Sequence, residues 1–208
     1  MIKAIIFDYD GVIVDSFNSV FKTYKIICRH FKVSGPKTIE DFRKIYGHNY
    51  VECLNNLDIP ERDRVEANSI FKKEIIKMDH DIFTGISEVI QELRKKYKLF
   101  LVSASHSEEV LLKLGRFGLT DSFAKIYCGA DQSIRKSAMI IDLLKENGYS
   151  PDEVISIGDR SIDYDVAKKA GISDNNVILV TYGWGLNKNE IGKVKIADSP
   201  KEILDFIK

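Results

Sequence analysis

Short apolar runs alternate along this chain with stretches whose apolar residues recur at helical spacing. The runs IKAIIF (2–7), KLFLVS (98–103), KIYC (125–128), VISIG (154–158) and VILVT (177–181) are rich in Ile, Val, Leu and aromatic residues. They are short and mostly do not alternate polar with apolar, the pattern of strands buried on both faces of a parallel sheet. Between them, Ile86, Val89, Ile90 and Leu93 fall at i, i+3, i+4 and i+7, and Val110, Leu111 and Leu114 form a similar stripe. A further helix is expected from about Ser133 to Asn147, stopped by Gly148 and Pro151. Strand and helix in alternation predict an α/β fold, a doubly wound parallel sheet with right-handed crossovers.

The rhythm breaks between about Ser16 and Asp81. Phe17, Val20, Phe21, Tyr24, Cys28 and Phe31 mark an amphipathic helix, and helical segments follow near 38–46, 49–57 and 61–78, separated by Gly35-Pro36, Gly47 and Pro60. The expected organisation is therefore an α/β core domain of residues 1–15 and 82–208, with a small all-helical domain, 16–81, inserted after the first strand. Residues 186–195 (LNKNEIGKVK) read as an exposed loop with little core.

Composition narrows the partners. The chain has 208 residues, enough for one sizeable core with a small satellite, and 44% hydrophobic with 30% charged residues is the balance of a soluble globular protein. Lys plus Arg equals Asp plus Glu at 31 each, so no net field draws the molecule to nucleic acid or to an anionic membrane surface. The apolar start of the chain is too short for a secretory leader, and no run approaches the ~20 apolar residues of a membrane span. Cys28, Cys53 and Cys128 are odd in number, far apart and without metal-type spacing, which fits a reducing cytoplasm and a role as small buried hydrophobes.

Acidic residues stand where a parallel sheet presents its ligands, at the carboxyl ends of strands. Asp8 and Asp10 close the first run, Ser103 the second and Asp159 the fourth, so adjacent strands would gather them. Carboxylates held together repel unless a cation compensates, and an all-oxygen set suits Mg²⁺, which completes its shell with water and phosphate oxygens. Gly11 would let backbone N–H groups approach an anion, Ser103 offers a hydroxyl and a lysine could add fixed charge, the needs of phosphoryl transfer. Taken singly, each residue has a plain structural role: a DG turn, a helix cap at Asp159 or Asp163, a turn at Ser103, a solvated Lys136. Three acids at two strand ends, each bordered by glycine, have no such explanation jointly.

The segment DYDGVIVDS resembles the first motif of the haloacid dehalogenase-like (HAD) hydrolases, in which the first Asp is a nucleophile and the second a general acid/base. LVSAS, through Ser103, looks like the second motif, and GDRSIDYDVAKKAG resembles the fourth, with Asp159 and Asp163 in its acidic positions. The third is a single cation at a helix start; Lys136 is better placed for it than Lys125 or Lys145. The helical insertion is similar to the cap of the phosphoglycolate phosphatase and β-phosphoglucomutase branch. FRKIYGHNY resembles its specificity loop, making Arg43, Gly47, His48 and Asn49 substrate-reading candidates, and TYGWG resembles a late segment of that branch.

The resemblance implies a Mg²⁺-dependent phosphatase acting on a small phosphorylated metabolite through an aspartyl-phosphate on Asp8, with Asp10 as acid/base. It implies metal ligation by Asp8, Asp159 and the Asp10 carbonyl, with Asp163 behind them, and phosphate binding by Ser103, Ala104, Lys136 and Gly11. Ala104 stands where many relatives carry a polar residue, for which Ser105 or His106 could substitute, and Arg160 where Ser or Thr is frequent. A sugar phosphomutase, a phosphonoacetaldehyde hydrolase or a silent phosphate-binding regulator would share this framework; intact Asp10 and Lys136 weigh against the last. Either a monomer or a homodimer is compatible with the sequence.

Overall fold

Strands with apolar side chains on both faces must be covered on both, and the sheet is built that way. The computed structural model describes residues 1–46, 50–129, 135–185 and 194–207. In chain order the elements are β1 (Ala4–Phe7), α1 (Phe17–Phe31), α2 (Ile39–Ile45), α3 (Tyr50–Asn56), α4 (Arg64–Ile75), α5 (Ile86–Leu93), β2 (Lys98–Ser103), α6 (Ser107–Arg116), β3 (Lys125–Cys128), α7 (Lys136–Asn147), β4 (Val154–Gly158), α8 (Ser161–Lys169), β5 (Val177–Val180) and β6 (Lys195–Ala197), with short 3₁₀ turns between. The chain divides into two compact units, residues 1–15 with 81–208, and residues 16–80.

In the larger unit the described strands form one parallel sheet in the order β3-β2-β1-β4-β5-β6. Alternate residues divide between its faces. Ile5, Phe7, Leu99, Leu101, Ile155 and Ile157 pack under α5, α6 and the C-terminal turn, whereas Ala4, Ile6, Phe100, Val102 and Val154 pack under α7 and α8. The strand order reverses between β1 and β4, the switch point at which such sheets open a crevice beyond their carboxyl ends. Val14 and Asp15 tie the end of the first segment to Asp81 and Ile82, where the chain re-enters this unit.

The smaller unit is helical. Thr38 and Asp41 start α2 with reciprocal side-chain-to-backbone hydrogen bonds. Its core is aromatic: the buried Phe42 ring lies 5.4, 5.5, 5.3 and 5.3 Å from those of Phe17, Phe21, Tyr24 and Tyr46. Cys28 and Cys53 are buried. No helix among the described residues is long and apolar enough to cross a membrane.

Two expectations need correction. Residues 186–193 lie outside the described residues, but Lys195 opens β6, which pairs with the outer side of β5 and buries Ala197. A three-residue edge strand is too short to carry a periodic signal. On α6, Leu111 faces solvent; the buried face is Glu109, Val110, Lys113 and Leu114, so two charged residues share the inner face on which the apolar pattern had placed Leu111.

Candidate active site

Beyond Phe7 the chain turns tightly. The Tyr9 carbonyl accepts from the N–H groups of Ile13 and Val14, and the Gly11 N–H donates to the Val14 carbonyl at 2.9 Å. Gly11 takes φ +77°, and a Cβ there would lie 1.9 Å from Asp159 Oδ2, so the turn after β1 sits directly against the acid at the end of β4. No side chain fits between them.

This close approach assembles the site. Ligand oxygens of Asp8, Asp159 and Asp163 all lie within 4.8 Å of one another. Lys136, the first residue of α7, reaches them with its ammonium 2.8 Å from Asp8 Oδ2 and 2.6 Å from Asp163 Oδ1. Asp163 Oδ2 accepts from the backbone N–H groups of Asp159 (3.2 Å) and Arg160 (3.1 Å), so this side chain also caps α8. Asp159 Oδ2 accepts from the Trp184 N–H at 2.7 Å. The glycine before Trp184 is obligatory: a Cβ on Gly183 would stand 2.2 Å from the Gly11 carbonyl oxygen and 2.6 Å from Asp159 Cβ.

Burial governs the charges. It pushes the Asp8 carboxyl up to about 7, a rise that Lys136 opposes and that Asp163 and Asp10 reinforce. Burial also raises Asp159 well above the usual carboxylate range, helped by Asp163 and Asp8. For Lys136, burial favours the neutral amine, but Asp163 and Asp8 outweigh it and hold the ammonium above its ordinary value. Three carboxylates against one ammonium leave a formal deficit of two positive charges. Oxygen donors with that deficit could hold a hard divalent cation.

The other candidates are placed as follows. The Asp10 carboxylate is outside the three-acid cluster and accepts from the Ser105 hydroxyl at 2.5 Å. Ser103 is buried, its hydroxyl accepting from the Ser105 N–H at 2.9 Å, while Ala104 is exposed. His106 is buried at the start of α6 and Arg160 is half-buried. In the helical unit, the Arg43 guanidinium lies 4.4 Å from the centre of the Phe17 ring, a cation–π contact. Gly47, His48 and Asn49 lie outside the described residues. Sequence reasoning missed the donation of Trp184 to Asp159. TYGWG drew notice only as a resemblance, because a backbone donor leaves no trace in residue type.

A model of the haloacid dehalogenase-like hydrolases matches residues 5–177. The chain belongs to this family. The haloacid dehalogenase-like chain is 26% identical over 228 aligned positions to a phosphorylated carbohydrates phosphatase of Thermotoga maritima, covering 99% of this chain and 98% of that protein. It is 25% identical to the pyrophosphatase PpaX of Listeria monocytogenes, over 81% of this chain and 80% of the other. Among solved structures, a haloacid dehalogenase-like hydrolase from Streptococcus pneumoniae superposes with a TM-score of 0.86 at 22% identity, covering 100% of this chain and 99% of that one, a likeness of fold.

Proposed function

We propose that this haloacid dehalogenase-like enzyme is a Mg²⁺-dependent phosphatase that hydrolyses a small phosphate ester or pyrophosphate through an aspartyl-phosphate on Asp8. The observation that carries the reading is the clasp of Lys136 between Asp8 and Asp163, beside Asp159, with Asp10 two residues after Asp8. The relatives named as phosphatases and pyrophosphatases support the reaction class. The donor set fits Mg²⁺ in its oxygens and its charge deficit. Asp8 and Asp159 would hold the ion, aided by the Asp10 carbonyl, with Asp163 behind them. Bound there, it would supply positive charge to offset the phosphoryl oxygens.

The residues then divide the work. An Asp8 carboxylate oxygen bonds to phosphorus as the bond from phosphorus to the leaving oxygen breaks, and a protonated Asp10 gives that oxygen its proton. Asp10 next takes a proton from water as the water oxygen attacks phosphorus, the bond to Asp8 breaks, and phosphate leaves. Lys136 and Ser103, with backbone N–H groups near Gly11 and Ala104, offset charge on the phosphoryl oxygens. We read residues 16–80 as the cap, inserted between the segments that carry Asp10 and Ser103. It would limit substrates to small molecules, with Arg43, Gly47, His48 and Asn49 reading them. A cytoplasmic location accords with three cysteines that are odd in number and far apart in the chain.

The test is phosphate release from pyrophosphate, phosphoglycolate and sugar phosphates, with Mg²⁺ or with EDTA, for wild type and Asp8→Asn. Mg²⁺-dependent release that disappears in the variant is the expected result. Release that survives in Asp8→Asn would overturn the covalent scheme.

A further inference from the structure

Behind the Asp8–Asp10 turn lies a buried polar group that the chemistry above does not use. Tyr9, between the two aspartates, is fully buried, and its hydroxyl donates to Glu109 Oε1 at 2.9 Å. Glu109 is only 2% exposed, and Lys113, one helical turn later on the same face of α6, only 1%.

Charged residues in this position are costly. Apolar side chains of similar volume would serve the packing between α6 and the sheet at least as well, and the neighbouring positions Val110 and Leu114 are apolar and fully buried. What the polar contact adds is direction. The Tyr9 carbonyl organises the turn that carries Asp10, and its side chain runs through the core to α6. The segment that starts α6 also bears Ser105, whose hydroxyl donates to the Asp10 carboxylate. One short stretch, residues 105–109, therefore holds the Asp10 turn at two points: the carboxylate through Ser105 and the backbone through Tyr9.

We infer that Tyr9 and Glu109 are positioning residues for Asp10, a buried tether that aims the acid at the leaving-group oxygen. This inference rests on the phosphatase reading and deepens it. A tether for the acid should matter in proportion to how much proton the leaving group needs. p-Nitrophenyl phosphate expels a phenolate that is stable without a proton. Phenyl phosphate, close to it in shape, expels one that requires it.

The experiment measures kcat/KM on both esters with Mg²⁺, which reports the steps through departure of the leaving group and not the hydrolysis of the aspartyl-phosphate common to both, for wild type, Tyr9→Phe, Glu109→Met and the double variant, with folding checked by circular dichroism. The expected result is a loss of about tenfold or more on phenyl phosphate with near-wild-type kcat/KM on p-nitrophenyl phosphate. The double variant should lose no more than either single one, since both break the same contact. If one single variant does not fold, the other carries the comparison. Equal losses on the two esters, or none on either, would overturn the inference and leave the phosphatase reading standing. Wild-type protein that turned over neither ester, nor any compound of the substrate panel, would overturn both.

Discussion

Asparagine at position 8 keeps the shape of the aspartate and removes its charge, so Asp8→Asn isolates what that charge costs the fold. The Asp8 side chain is 12% exposed, and burial raises its pKa from 3.8 to about 7 against the opposing pull of Lys136. Between those values the folded protein binds more protons than the unfolded chain. Stability contributed by this group therefore falls as pH rises from about 4 to about 7, and levels off above that. A rise of this size corresponds to about 4 kcal/mol at alkaline pH, or roughly 10 °C in melting temperature for a chain of this length. Asp41, Glu92, Glu146, Glu153 and Asp174 have lowered pKa values and act in the opposite sense, but they lose their contribution only as pH falls below the ordinary carboxylate range. The window from about pH 5 to about pH 8 is clear of them. Urea denaturation in EDTA should show Asp8→Asn the more stable protein at the upper end, with the gap narrowing towards the lower. Saturating Mg²⁺ at the upper end should raise the wild type towards the variant. Equal stabilities at about pH 8 in EDTA, or a gap that widens on acidification, would refute the reasoning.

Three further outcomes follow from the same geometry. Gly183→Ala places a methyl group against backbone and against Asp159, so it should cost about 1–3 kcal/mol and weaken Mg²⁺ binding; a Mg²⁺-induced rise in melting temperature equal to that of wild type would contradict this. Lys136→Met removes the ammonium from two buried carboxylates and should destabilise the metal-free protein by about 3–5 kcal/mol at neutral pH, read by urea denaturation; unchanged stability would show that the clasp is not formed in solution. Trp184 is the chain's single tryptophan, and its backbone N–H is held by Asp159, so its emission should change saturably on Mg²⁺ titration in wild type and not in Asp159→Asn; identical titrations would place the ion elsewhere.

How much of this was legible in the sequence depended on whether residue type carried the information. The first five strands announced themselves because Ile, Val and Leu are needed on both faces of a covered sheet. β6 did not, because three residues on an edge, with Lys195 and Ile196 half-buried, have no face to pattern. Asp8, Asp10, Lys136 and Asp159 were readable as a resemblance to family motifs, and the sheet order supplies the reason Asp8, Asp159 and Lys136 come together: β1 lies directly beside β4, and α7 begins where its first side chain reaches both Asp8 and Asp163. The Trp184 N–H and the Tyr9 carbonyl were beyond reach, since every residue offers a backbone and only the fold decides where it points. Glu109 and Lys113 failed for a different reason. Charged residues are almost never fully buried, so the pattern on α6 gave the inner face to Leu111, which the structure turns outward. A burial rule that holds for α5 and α7 breaks on the helix that hydrogen-bonds to Tyr9, the residue between Asp8 and Asp10. Departures of this kind concentrate where the fold has been bent to a task other than packing, and the position of this one, behind Asp10, indicates that the task is to aim the acid.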